Sequence, residues 1–318
     1  MGYLQGRGIH VDRHLSNIAQ NYRPTGFIAD RIFPIVNVPK QADMIKVYRQ
    51  ADQTQENEAL RAPGTEANRV SLSVTSETYY ARNFALGADV TVEDRANADP
   101  VFIRDLEEGA VEFVTDQLLI GYERRVATLA TNGSNVSTVF TVSSLWTDYE
   151  NSDPLGDLWT ASDEQRDRIG FKPNRAVFSE RSWRNFSRNV EVINKIFKTG
   201  VDGGAPPVMV NQAVAELIGV EEVMVGGAMY NSNAEGLALS LTDIWGDYVL
   251  LYYTPGRPSI NFPSWGYGFR WNAPGLQNWN VRRLPFDAAK QKDMVEVGYY
   301  QDERVLETGL ATLVASAG

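Results

Sequence analysis

Cysteine is missing from all 318 residues. That excludes disulfides, thiolate nucleophiles and zinc–thiolate sites, so whatever fastens this chain to itself or to others is non-covalent or uses other chemistry. Histidine is scarce too: His10 and His14 are the only two. Both lie in an irregular N-terminal stretch, so a hydrolase would lack a base placed beside its nucleophile. Their four-residue spacing suits two metal ligands on one helical face, but no third ligand stands near, and they read as surface residues. No run approaches the roughly 18 uncharged apolar residues that cross a bilayer, and Met1 to Gly6 lacks the apolar core of a secretory signal. Folding and assembly are therefore expected in the cytosol, where the Asn-x-Ser/Thr triplets at Asn132, Asn135 and Asn185 carry no meaning. Nucleotide fingerprints are absent as well. Gly266-x-Gly268 lacks a third glycine and a strand-to-helix turn, and no Gly-Lys-Ser/Thr phosphate cradle occurs.

What remains is a chain 43% hydrophobic and 22% charged, a globular composition with length for two domains. Its net charge is −10. The first fifty residues carry seven Lys and Arg against three Asp and Glu, a local +4 that leaves −14 for the rest. An acidic body argues against a dedicated nucleic-acid binder, because phosphate contact needs a basic face. Asp243, Asp247, Glu221 and Glu222 are candidates for a metal or glycosidase pair, although charged faces and helix caps explain such residues more often.

Residues 99–131 organise the chain. Asp99 offers an N-cap and Pro100 suits a first helical turn. Phe102, Leu106, Ala110, Phe113, Gln117 and Leu118, flanked by Ile103 and Val114, recur at three- and four-residue steps as an apolar stripe. Glu107, Glu108, Glu112, Asp116, Glu123, Arg124 and Arg125 form the expected water face, and Asn132-Gly133 ends the run. Unbroken, the helix would span about 50 Å, a strut for an extended molecule; bent at Gly109 or Gly121, it would be the core helix of an ordinary domain.

Before it, residues 1–40 read as an extended arm. Gly2, Gly6, Gly8, Pro24, Gly26, Pro34 and Pro39 interrupt every apolar run, yet Phe27, Ile28, Ile32, Phe33, Ile35, Val36 and Val38 must lie on protein, either the chain's own body or a neighbour. Met44 to Arg49 and Arg69 to Tyr80 read as two strands joined by the polar stretch 50–68, a long hairpin with a solvated tip. A lone ribbon is marginal in water, so its apolar face is expected on another subunit. The arm's Arg7, Arg13, Phe27, Ile32, Phe33 and Val36 and the hairpin's Ile45, Val47, Val70, Leu72 and Val74 are the candidate intersubunit contacts. Cofactor, metal and catalytic residues are not expected.

Beyond the long helix, 132–144 is small and polar and Leu158 to Ile169 is a short charged helix. A strand at Ala176 to Phe178 leads to a helix Glu180–Phe197, capped by Ser179 and striped by Trp183, Phe186, Val190, Ile193 and Phe197. A loop Gly200 to Pro207 precedes a helix Asn211–Ile218; Val220 to Val225 and Tyr248 to Tyr253 read as strands. Trp265, Tyr267, Phe269 and Trp271 make one strand face aromatic, better suited to packing than to stacking bases. Met294 to Tyr300 and Val305 to Val314 read as an antiparallel return pair beside the long helix.

This order of parts, with Ser152-Asp153-Pro154-Leu155, Lys172-Pro173-Asn174-Arg175-Ala176-Val177-Phe178 leading to Trp183, Gly219-Val220-Glu221-Glu222-Val223-Met224-Val225-Gly226 and Ile244-Trp245-Gly246-Asp247-Tyr248-Val249-Leu250-Leu251, resembles the HK97-fold major capsid proteins of tailed bacteriophages, in their lambda-E-like branch. The resemblance implies an α+β fold in five parts: an N-terminal arm (1–40), an E-loop hairpin leading into the spine (41–97), a spine helix with part of the P-domain (98–170), an A-domain (171–284) and P-domain return strands (285–318). It implies that Gly200, Asp202, Gly203 and Gly204 form an axial loop at capsomer centres. The implied function is non-enzymatic: hexamers and pentamers close an icosahedral shell around double-stranded DNA. Implied partners are the chain itself, a portal protein, a separate scaffold, a decoration protein and non-specifically held DNA, with the product a virion assembled in the host cytoplasm and no membrane involved. Some relatives weld neighbours by a lysine–asparagine bond, but the hairpin tip 50–68 holds no lysine. An encapsulin-like protein compartment shares the fold, and an α+β enzyme using Asp243 and Asp247 is the alternative from another class.

Overall fold

The computed structural model describes residues 10–22, 26–48, 56–57, 59–61, 63–64, 66–71, 73–98, 103–197, 211–257, 263–272 and 279–315. In chain order these hold β1 (His10–Val11), α1 (Arg13–Asn21), α2 (Ala29–Ile32), β2 (Ile35–Val38), β3 (Ala42–Tyr48), β4 (Val74–Tyr80), β5 (Arg82–Thr91), α3 (Val92–Asn97), α4 (Ile103–Ala130) and β6 (Thr138–Thr141). The second half adds α5 (Pro154–Ile169), β7 (Arg175–Ser179), α6 (Glu180–Arg188), α7 (Val190–Phe197), α8 (Asn211–Ile218), β8 (Glu222–Gly226), β9 (Met229–Asn231), β10 (Leu241–Asp243), β11 (Val249–Tyr252), β12 (Gly266–Trp271), β13 (Asn280–Arg283), β14 (Lys292–Val305) and β15 (Ala311–Ala315).

Local chemistry sets many of these boundaries. Asp12 caps α1 by accepting the amides of His14 and Leu15, and Asp153 caps α5, which opens on Pro154 and closes at Gly170 with φ 79°. Ser179 caps α6 through the Ser182 amide, as expected. The single helix expected over 180–197 is two. Asn189 is extended, accepts the Glu191 and Val192 amides to start α7, and donates its Nδ2 to the Ser152 carbonyl.

Two sheets carry the body. One has the order β6-β15-β11-β7-β8. Its Val177, Met224, Leu250 and Leu313 face Ile32, Phe33, Tyr122, Val126 and Ala130; its Ala176, Phe178, Val249, Leu251 and Val314 face Leu155, Leu158, Phe186, Val214 and Trp146. That strict alternation is the period-two geometry of a strand buried on both faces. The other sheet is built on β14: β5 pairs along one edge from Lys292 to Gln301, while β13 and then β12 take the opposite edge in succession. β1 extends it beyond β13, and β2 joins β12 in parallel. The expected return pair is therefore not formed. β14 runs unbroken through Gln301-Asp302-Glu303, and the next strand crosses into the first sheet because Leu306 bonds back to the Trp265 carbonyl and a turn capped by Glu307 buries Leu310.

The long helix is present as α4, 28 residues through Gly109 and Gly121 without a break, or about 42 Å; residues 99–102 lie outside the described set. Its buried face shares Val114 and Leu118 with the expected stripe but turns Leu106 and Phe113 outward. Val111, Val114, Leu118 and Leu119 pack on Trp279, Val297 and Tyr299, and Tyr122, Val126 and Ala130 enter the first core, whereas Leu106 is 36% and Phe113 62% exposed. Apolar residues stand on a second side of the helix as well, Leu106 and Phe113 among them, so periodicity alone could not choose the side that meets the sheets. Two residues assigned to water, Glu107 and Glu123, are buried.

Candidate assembly surfaces

The hairpin β3–β4 pairs Ala42 with Tyr80 through Tyr48 with Val74. Its base is seated on its own chain. Ile45 and Tyr79, both 4% exposed, pack with Val38, Tyr267 and Phe269, the Tyr79 and Phe269 rings stack at 5.0 Å, the Tyr79 hydroxyl donates to the Lys40 carbonyl, and the Tyr80 amide donates to Asp302 at 2.9 Å. This corrects the assignment of Ile45 to another subunit: the aromatic row of β12 already covers it. Met44, next to Ile45 in the same strand, is 68% exposed, and farther out Val70 is 66% and Leu60 84% exposed. Val47 and Val74 are placed by backbone register opposite Thr75 and Tyr48; Leu72 lies outside the described residues.

The arm is corrected in the same way. Ile32 and Phe33 belong to the chain's own core, at 1% and 0% exposure, with Phe33 stacked on Trp265 at 4.9 Å. Val36 sits in β2 opposite Phe269, partly buried, and Phe27 is half-buried against the cluster around Trp279. Parallel pairing of β2 with β12 draws the whole segment 27–38 onto the body. Arg13 is exposed at the start of α1. Arg7 and the axial-loop candidates Gly200, Asp202, Gly203 and Gly204 lie outside the described residues.

Candidate chemistry resolves into structural pairings. His10 sits in β1 opposite Arg283, and His14 lies 3.0 Å from Glu108. Arg181 bridges Asp243 and Asp247, and Glu222 is held by Arg31 and Arg175. Among the described residues no group of three His, Cys, Asp or Glu could hold a metal ion. Glu107 accepts from Arg95 at 2.6 Å and Arg283 at 2.5 Å, with Arg95 also on Asp293 and Arg283 on Asp12, so one carboxylate ties α4 to α3, β13, β14 and the cap of α1. Arg125 lies over the Phe84 ring at 3.7 Å and reaches the Tyr299 hydroxyl and Glu303. Burial raises the Tyr299 hydroxyl above its ordinary range, and the Arg125 charge works the other way.

A surface missed from the sequence is the ribbon β9–β10. Asn231 accepts the amides of Asn233 and Ser240, Ser232 bonds Ser240, and Asn233 donates to the Ala238 carbonyl, so the tip is ordered by its own hydrogen bonds. It presents Met229, Leu237, Leu239 and Leu241 at 44%, 65%, 71% and 55% exposure. The available signal was charge depletion: between Gly226 and Thr242 the only charged residue is Glu235. With Met44, Val70 and Phe113, these side chains are the bare apolar surface a monomer rarely keeps.

No family model matches the chain. It is similar to the major capsid protein of Burkholderia phage BcepMu, 28% identical over 272 residues that span 82% of this chain and 83% of that one. A crystal structure of a phage-related protein from Bordetella bronchiseptica RB50 superposes with a TM-score of 0.72 at 23% identity, covering 96% of this chain and 97% of the other. The capsid of cyanophage P-SCSP1u superposes with a TM-score of 0.59 at 12% identity, covering 92% and 88%. These likenesses bear out the HK97-like α+β fold expected from the sequence.

Proposed function

We propose that this chain is the major capsid protein of a tailed phage, a shell subunit that self-assembles as hexamers and pentamers into an icosahedral head around double-stranded DNA. The observation that carries the reading is the likeness to the BcepMu major capsid protein across four-fifths of both chains, on a fold shared with a phage capsid over 92% of this chain. The bare apolar side chains on the hairpin, α4 and the β9–β10 ribbon support it, because many copies give each an occupant. In this reading α4 is the spine, 41–85 the E-loop and 1–40 the arm. Residues 98–170 and 285–318 supply the P-domain, 171–284 is the A-domain, and Gly200 to Pro207 is the axial loop. Arg7, Arg13 and Phe27 of the arm, and Val47, Val70, Leu72 and Val74 of the hairpin, make the contacts between copies. Portal, scaffold and decoration proteins, with assembly in the host cytoplasm, complete the scheme. The encapsulin-like reading lacks a sequence relative of equal weight, and the enzyme reading loses its acidic pair to Arg181. Sizing of purified protein tests it: megadalton particles with shells by electron microscopy, or a hexamer-sized intermediate, are expected, and a stable small oligomer with no closed particle under any condition would reject it.

A further inference from the structure

Glu123 is an anomaly in the middle of α4. Its side chain belongs to a residue 1% exposed, yet its partners are three N–H donors: the amides of Ile28 at 3.1 Å and Ala29 at 2.9 Å, which open the arm's short helix α2, and the Trp245 indole at 2.7 Å. An unpaired buried carboxylate is costly and survives only where its geometry is enforced. Beside it is a cavity of about 220 Å³ lined by Phe27, Asp30, Ile35, Leu119, Glu123 and Arg270 among others, so lifting the arm would open the carboxylate to water along that side.

We propose that Glu123 couples protonation to the seating of the arm segment 26–33, so that the arm is clamped at low pH and loosened as pH rises. Seated, the acid is out of water, and burial outweighs the three donors, which oppose it, and raises it from the ordinary 4.5 to about 7. Lifting the segment removes two of those donors and hydrates the group, returning it toward its ordinary value. The seated state then binds the proton more tightly than the lifted one, and linkage fixes the direction: opening becomes easier as pH climbs between those two values. The surrounding charges agree. Asp30 on α2 adds repulsion. Arg270 on β12 lines the same cavity but is engaged with Gln301, Tyr122 on α4 donates its hydroxyl to the Ala29 carbonyl, and Asp243 and Asp247, flanking Trp245, are held by Arg181. This inference stands on the subunit alone and does not depend on the shell reading.

Hydrogen exchange of peptides covering 26–33, on the purified full chain from pH 5 to 8.5 and corrected for base catalysis, tests it. The opening constant is expected to rise roughly 100-fold over that range, most of it below pH 7, and to stay flat in Glu123→Gln. A flat wild-type profile, or an equal rise in Glu123→Gln, would overturn the proposal. Should that variant fail to fold, infrared titration of the wild-type carboxyl decides: a midpoint at the ordinary 4.5 overturns it, and a midpoint near 7 that Asp30→Asn moves downward supports it.

Discussion

Gly226 faces the indole of Trp245 so closely that a methyl group at 226 would sit 2.6 Å from Nε1 and 2.7 Å from Cγ. Neither side has room to give: Gly226 ends β8, paired with Ser179 of β7, and Trp245 is 3% exposed with its N–H committed to Glu123. Gly226→Ala is therefore expected to push the indole off the carboxylate and lower stability by about 1–3 kcal/mol. Urea unfolding followed by tryptophan fluorescence checks this, and an unchanged midpoint would show that the ring can move freely.

Overall stability should carry the same carboxylate's signature. Glu123 holds its proton more tightly folded than unfolded, so its contribution is largest below about 4.5 and declines as pH rises to about 7. At 1.36 kcal/mol per unit the decline is at most about 3 kcal/mol. Asp43 and Asp148 are lowered from 3.8, chiefly by hydrogen bonds from Lys40 and Asn151, so they act with opposite sign and only below that value. Chemical denaturation midpoints should fall from pH 5 to 7.5 in the wild type and stay level in Glu123→Gln; parallel curves would rule Glu123 out as the cause.

Excising residues 50–68 should leave a folded subunit, because the hairpin is anchored by Ile45 and Tyr79 at its base and not by its tip. Closed shells should nonetheless become rare, since the excision removes the bare Leu60 from the side of the hairpin turned away from the subunit's own core. Circular dichroism together with electron microscopy separates the two effects. Normal particles from the shortened chain would make the hairpin dispensable for assembly.

Much of the fold was legible in the sequence because its signals were local. The cap at Ser179, the short helix Asn211–Ile218 and the aromatic alternation around Trp265 each act within a few residues. What escaped depends on partners far along the chain. β5 reads as unremarkable until Lys292 to Gln301 lies beside it, and β6 until β15 does. Burial of Phe33 likewise needs Trp265. The buried face of α4 was misjudged because both sides are apolar, and a carboxylate such as Glu123 reads as a surface residue unless its donors, from the arm and from Trp245, are already in place. For the assembly surfaces, the polar tip of the hairpin was visible as composition, whereas the β9–β10 patch was visible only as missing charge.

The parallel pairing of β2 with β12 has a consequence for how the protein is made. Gly268 bonds the carbonyl of Pro34 and pairs with Ile35, so the arm's place on the body does not exist until residue 271 has left the ribosome. At roughly 5–20 residues per second, Ile28, Ile32 and Phe33 wait on the order of ten seconds or more for Trp265 and β12 to complete the surface that α4 begins. During synthesis the most deeply buried part of the arm is thus among the stickiest parts of the nascent chain. Ribosome-bound fragments ending near residue 260 should recruit chaperones through that segment, and fragments extended past β14 should release them.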